Sequence, residues 1–323
     1  MTRPFAGARS WAIVAALLPL ALGPGAIGAQ AAHPLSASQA RRAVNFWTPA
    51  RMARARPVDR LRAGSPSVAT GSAATTSADV YASSSSSPTA GASSAAEAVP
   101  DPTVAGARTN GVVFLVTGFG LGRCSGTSVK APNRSVVVTA GHCLDDPFEG
   151  LFAARVVFVP GYRYGQRPFG VFAARWIDTT RQWHFTHNGN YDVGAFVVGR
   201  NEHGQRLGKA VGGVDIAWNL KRRQVFDVHG YSVDPPFDGE TQQLCAQTPY
   251  VGHDPRSFFS PGPLNLGVEC EVTSGASGGG WTIRGHILNG VTSYGYEGDL
   301  STDFGPYFGR EVGRLYRRAR RVR

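Results

Sequence analysis

A chain of 323 residues is long enough for one large domain or two small ones, and its 41 glycines and 21 prolines favour short strands and turns over long helices. The formal charge of +11 suggests a nucleic-acid binder, but the charge sits at the ends: residues 1–104 carry +5, residues 310–323 carry +6, and the body between is neutral. The basic balance therefore gives no support to a nucleic-acid groove, and no nucleic-acid partner is assigned.

Residues 1–31 read as an export signal. Arg3 and Arg9 make the charged start, Trp11 to Leu22 the apolar centre, and Ala29-Gln30-Ala31 the small-residue cleavage site. The apolar run is short and broken at Gly23-Pro24, which argues against a membrane anchor. Residues 32–63 are polar and basic. Residues 64–100 are mostly Ser, Ala, Thr and Gly, including Ser83 to Ser87, a composition that buries too little apolar surface to offset chain entropy. This stretch reads as a disordered linker, so residues 32–104 are expected to be propeptide and linker and residues 105–323 the functional domain with a basic tail.

From Gly111 the texture changes. Short strands are expected at 112–116, 124–129, 135–138, 155–159, 170–176, 193–198, 225–231, 280–283 and 287–294, followed by a helix over 308–320. Evenly spaced short strands suggest an all-β sandwich or barrel. The Arg-rich end reads as a solvated helix end, with weak contact to an anionic cell wall or membrane surface as the alternative. His184 and His187 have the spacing of a zinc pair, but no third ligand of matching context accompanies them; they read as loop histidines, and no metal is assigned.

Three segments carry chemistry. Val136 to Val138 runs into Thr139-Ala140-Gly141-His142-Cys143, so a strand delivers a histidine to its end. Tyr191-Asp192-Val193-Gly194 places an aspartate at the opening of another apolar run. Thr273-Ser274-Gly275-Ala276-Ser277-Gly278-Gly279-Gly280 holds a serine among glycines. A serine hydroxyl is a weak nucleophile until a base in hydrogen-bond reach takes its proton, and that base needs an orienting partner. Glycines beside it let backbone N–H groups converge on one point, where they stabilise a developing oxyanion.

In their order and spacing these pieces resemble the trypsin/chymotrypsin superfamily of serine proteases, most closely its bacterial secreted trypsin-like and glutamyl-endopeptidase-like branch. The resemblance covers roughly residues 105–318. It implies two packed six-stranded antiparallel β-barrels with a C-terminal helix, and a secreted, monomeric endopeptidase that acts on protein or peptide substrates without a cofactor. His142 is then the base, Asp192 its orienting partner and Ser277 the nucleophile, with the N–H groups of Gly275 and Ser277 as the oxyanion hole. It further implies disulfides Cys124–Cys143 and Cys245–Cys270. Asn45-Phe46-Trp47-Thr48-Pro49-Ala50-Arg51-Met52 resembles a segment of secreted actinobacterial peptidase leaders. Gly290 to Gly295 resembles the family's pocket-wall strand, with Ser293 supporting Asp192 and with Tyr294 and Gly295 facing substrate; Gly305-Pro306-Tyr307 resembles the opposite wall.

The chain also departs from the pattern. Ala276 stands where relatives activated by a freed N-terminus carry an aspartate, so that ion pair cannot form and maturation is expected to be leader removal. Gly280 replaces a common proline. Thr292 replaces the histidine of glutamyl endopeptidases, which argues against strict glutamate specificity. Glu271 stands six positions before Ser277, where trypsin-like relatives place the pocket-floor carboxylate, but Cys270 precedes it rather than following it. Two readings of Glu271 stay open, a pocket floor selecting Lys or Arg and an ordinary surface residue. The rival functions are a catalytically silent binder on the same fold and an esterase using the same site.

Overall fold

The structure is a computed structural model that describes residues 32–63, 95–146, 150–296 and 299–323. The export signal over 1–31 and most of the expected linker, residues 64–94, lie outside the described residues.

The first described segment is β1 (His33–Pro34), α1 (Ala37–Phe46), α2 (Pro49–Ala53), β2 (Arg56–Pro57) and α3 (Val58–Ala63). Local sequence explains its helices. Ser36 and Gln39 form a reciprocal cap at the start of α1, and Thr48 caps α2 with Pro49 in its first turn. After β3 (Glu97–Ala98) the Val-rich runs form β4 (Asn110–Thr117), β5 (Gly120–Val129) and β6 (Val136–Thr139). A small ribbon follows, β7 (Asp145–Asp146) with β8 (Leu151–Phe152), then β9 (Ala154–Pro160), β10 (Phe172–Thr179), α4 (Arg181–Thr186), β11 (Gly194–Val198) and α5 (Leu207–Ala210).

β4, β5, β6, β11, β10 and β9 pair antiparallel in that order, and β9 pairs back onto β4, closing a six-stranded barrel. Alternate residues point inward, so Val113, Leu115, Val137, Phe158, Phe172, Ile177 and Phe196 fill its interior with almost no exposure.

The second half contains β12 (Asp215–Ile216), β13 (Val225–Gly230), β14 (Gln243–His253), β15 (Leu266–Glu269), β16 (Gly280–Ile283), β17 (Ile287–Val291), β18 (Tyr294–Tyr296) and β19 (Asp299–Gly305), and α6 (Arg310–Ala319) ends the chain. The expected second barrel is a half-barrel sheet in the order β12-β17-β16-β13-β14-β15-β19-β18. One run of chain, residues 287–296, joins its two sides, pairing with β16 at its start and with β19 at its end. Between β17 and β18, Thr292 exchanges hydrogen bonds with the Ser277 loop through Gly278 and Gly279, and Ser293 N donates to the Phe304 carbonyl. These bonds carry the β16–β17 and β18–β19 pairings through to the Ser277 loop.

Val136, Val138 and Val197 from the barrel meet Leu288 and Val291 from the sheet, under Phe308, Val312 and Leu315 of the terminal segment. The solvated-tail expectation fails at one residue: Arg318 reaches in, its Nε 2.6 Å from the carboxylate of wholly buried Asp178.

Candidate active site

β6 ends at Thr139, and the following turn carries His142 between the two halves. Cys143 ties that turn to β5 through the Cys124–Cys143 disulfide; Cys245–Cys270 links β14 to the end of β15, ahead of the Ser277 loop. A short 3-10 turn, residues 189–191, delivers Asp192. Its carboxylate is buried and takes three hydrogen bonds, from His142 N at 2.7 Å, from His142 Nδ1 at 2.7 Å and from Ser293 Oγ at 2.5 Å. Burial pushes the Asp192 carboxyl upward, but the His142 charge and these hydrogen bonds outweigh it and hold the group below the usual carboxylate range. An ionised Asp192 fixes the proton of His142 on Nδ1 and leaves Nε2 as the basic nitrogen.

Ser277 arrives from the opposite half. Ser125 on β5 sets its height, donating from N to the Ser277 carbonyl at 2.8 Å and from Oγ to the Gly275 carbonyl at 2.9 Å, while accepting from Tyr231 N at 3.0 Å. Gly275 has φ of +96°, and a Cβ there would stand 2.7 Å from the Tyr231 carbonyl, so only glycine fits. Among the described residues, neither the Gly275 N–H nor the Ser277 N–H is taken up by an intramolecular acceptor. Ala276 is completely buried against Gly230, which leaves no room for an activating ion pair at that position. Gly280 is equally constrained: a side chain would press on Thr127 Oγ1 of β5, at 2.3 Å from the added Cβ. The turn is thus tight without the proline.

The remaining expected substrate contacts are distributed unevenly. Ser293 is buried with its hydroxyl on Asp192, Tyr294 is half-buried, and Gly295 is exposed on β18. Gly305 is buried in the sheet opposite Leu266. Glu271 is exposed, directly after disulfide-held Cys270, on the surface of the loop.

Sequence reasoning missed several residues that support this region. Asp254 gathers the hydroxyls of Tyr294 at 2.5 Å and Tyr296 at 2.7 Å, fixing the strand beside the cleft. Asp303 lies under Thr292, accepting from its Oγ1 at 2.7 Å, and Trp281 Nε1 donates to the same threonine at 3.0 Å. Behind His142, Trp183 donates to the Asp145 carbonyl, and His184 Nδ1 lies 2.7 Å from Asp145 Oδ2. His184 is therefore no loop histidine: it sits on α4, stacked on Phe152 with ring centroids 5.3 Å apart. His187 ends the same helix in a left-handed conformation. Strand aspartates carry no sequence signal of burial; the Thr180 cap before Trp183 was a readable sign of the helix behind the site. Among the described residues one group is tight enough for a metal ion, Cys124, His142 and Cys143, but both sulfurs are bound in the disulfide.

Burial raises the Asp303 carboxyl to about 8. Its unfolded counterpart ionises near 3.8. Below that value both states are protonated; as pH rises the unfolded chain ionises first, so stability falls until Asp303 itself ionises. The slope is roughly 1.4 kcal/mol per pH unit over this window. Asp303→Asn should flatten the decline between pH 5 and pH 8, read from urea midpoints. Parallel curves for wild type and variant would refute the assignment.

Comparison with known proteins agrees with this arrangement. The chain matches the structure of protease Anisep from Arthrobacter nicotinovorans at 32% identity and a TM-score of 0.61, over 69% of this chain and 99% of that one. It matches the thermostable serine protease AL20 from an extremophilic microorganism at 34% identity and a TM-score of 0.62, over 67% and 98%. A Glu endopeptidase shares the fold at 18% identity, with a TM-score of 0.57 over 70% and 97%. No family profile matches the sequence, and no curated protein sequence matches it. The chain belongs to the trypsin/chymotrypsin superfamily of serine proteases, in its bacterial branch.

Proposed function

We propose that this protein is a secreted serine endopeptidase that cleaves peptide bonds through an acyl-enzyme on Ser277. The observation that carries the reading is the hydrogen-bonded series Ser293–Asp192–His142, placed beside a turn whose Gly275 and Ser277 N–H groups have no other acceptor among the described residues. His142 Nε2 accepts the Ser277 proton as Oγ attacks the scissile carbonyl carbon. The oxyanion forms in front of the two N–H groups, and each such donor contributes about 3 kcal/mol to its stabilisation. The C–N bond then breaks, and His142 passes its proton to the departing amine. Water repeats the sequence on the ester, releasing the acid and restoring Ser277.

Export is supported by the signal-like start and the two disulfides. Among the described residues no helix is long and apolar enough to cross a membrane. Maturation is by cleavage ahead of the domain, giving a chain that begins between about residue 90 and Gly111, where small exposed residues favour cutting.

A fluorophosphonate should label the purified protein on the peptide containing Ser277, and Ser277→Ala should abolish both labelling and amide hydrolysis. Undiminished labelling of that variant would sink the proposal.

A further inference from the structure

We infer that the leader segment, residues 33–63, stays on the protease domain after the linker is cut, making the mature protein a non-covalent two-chain enzyme. The inference goes beyond the proposed activity and does not depend on it.

The leader is built into the domain at three places. At one end, β1 extends the barrel by pairing with β10, His33 opposite Ile177 and Pro34 opposite Trp176. In the middle, Ala43, Trp47 and Met52 are buried against Phe114, Val157, Val159 and Tyr162 of the barrel's outer face. Trp47 is 1% exposed, and its Nε1 donates to the Arg155 carbonyl at 2.7 Å. At the other end, β2 pairs parallel with β5 at Gly122 and Arg123. Losing this segment would bare that apolar face and the backbone edges it pairs with, each at a cost in free energy. Cutting within residues 64–94 removes none of these contacts, because all of them come from the N-terminal side of that stretch.

The same end of the leader reaches the nucleophile loop. Arg60 Nε donates to Ser274 Oγ at 3.0 Å, and its Nη2 pairs with Asp234 at 2.9 Å. The Pro57 ring stands against Gly275, 3.7 Å from where a Cβ would be. Ser274 and Gly275 lead directly into the oxyanion turn. With Ala276 in place of an ion-pairing aspartate, the leader is a brace for this turn from outside.

The test uses the exported chain carrying Ser277→Ala, so that self-digestion plays no part, with a site-specific protease sequence inserted at Ser83–Ser87. After complete cutting, the leader fragment should co-elute with the domain in native size-exclusion chromatography and separate from it in concentrated guanidinium. Trp47→Ala, cut after folding, should move most of the leader fragment to the small-peptide position; if that variant does not fold, Met52→Ala serves the same purpose. Separation of the wild-type leader from the domain in native buffer, whether or not the domain stays folded, overturns the inference. Undiminished co-elution in the folded Trp47 variant overturns the assignment of that contact as the anchor.

Discussion

Asp192→Asn should lower kcat by about 10⁴-fold while leaving KM and the melting temperature close to wild type. The argument is one of tautomers. In the wild type both Asp192 oxygens accept, one from His142 N and one from His142 Nδ1 and Ser293. An asparagine keeps its oxygen on the backbone N–H and turns its amide N–H₂ toward Nδ1. That nitrogen must then accept, so the ring proton moves to Nε2, the atom required to take the Ser277 proton. The base is present but protonated at the wrong place. Adding Ser277→Ala to Asp192→Asn should cost little beyond the serine change alone, because the residues act as one unit. Steady-state kinetics on a peptide amide decide the matter: a loss under tenfold, or additive losses, would remove Asp192 from the machinery.

The second large effect is on stability. Arg318→Ala should destabilise the domain by about 3–5 kcal/mol near neutral pH, because it strands a carboxylate with no access to water. Asp178 is fully buried, and burial raises its pKa even with the guanidinium in place. Asp178 also accepts a hydrogen bond from Thr179 N at 2.9 Å. A folded-state pKa above the unfolded value means that stability declines as pH rises through the folded value. The Arg318→Ala deficit should therefore be largest at neutral and alkaline pH and shrink toward pH 4. Adding Asp178→Asn should recover much of the loss. Denaturant titrations at two pH values test both statements, and a loss under 1 kcal/mol independent of pH would show that the pair contributes nothing.

The barrel strands were legible because β-branched runs such as Val112-Val113 and Val136-Val137-Val138 are buried on one or both faces and bounded by turns. β14 was not. Its sequence QLCAQTPYVGH has no alternation, because the strand bends, with Gln247 at φ of +53° inside a pairing shift against β13 and a second shift against β15 between Tyr250 and Gly252. The leader helices carried readable caps at Ser36 and Thr48, yet their apolar positions look sparse until the barrel face they cover is known. The candidate site was legible as residue types in order. The close approach of His142 to Asp192 depends on pairing between residues 50 apart in sequence, and the burial of Asp303 and Asp254 on folding of the whole sheet.

Ser125 has a consequence for how this chain could change. Within β5, Gly122 and Arg123 receive the leader, Cys124 holds the histidine turn, and Ser125 fixes the backbone on both sides of Ala276. The separation of the proposed base and nucleophile, His142 and Ser277, is therefore governed by the register of this strand. The long stretches of chain between His142, Asp192 and Ser277 do not set it. A slip of one residue in β5 would turn its side chains to the opposite face and dismantle the site while leaving His142, Asp192 and Ser277 unchanged in the sequence.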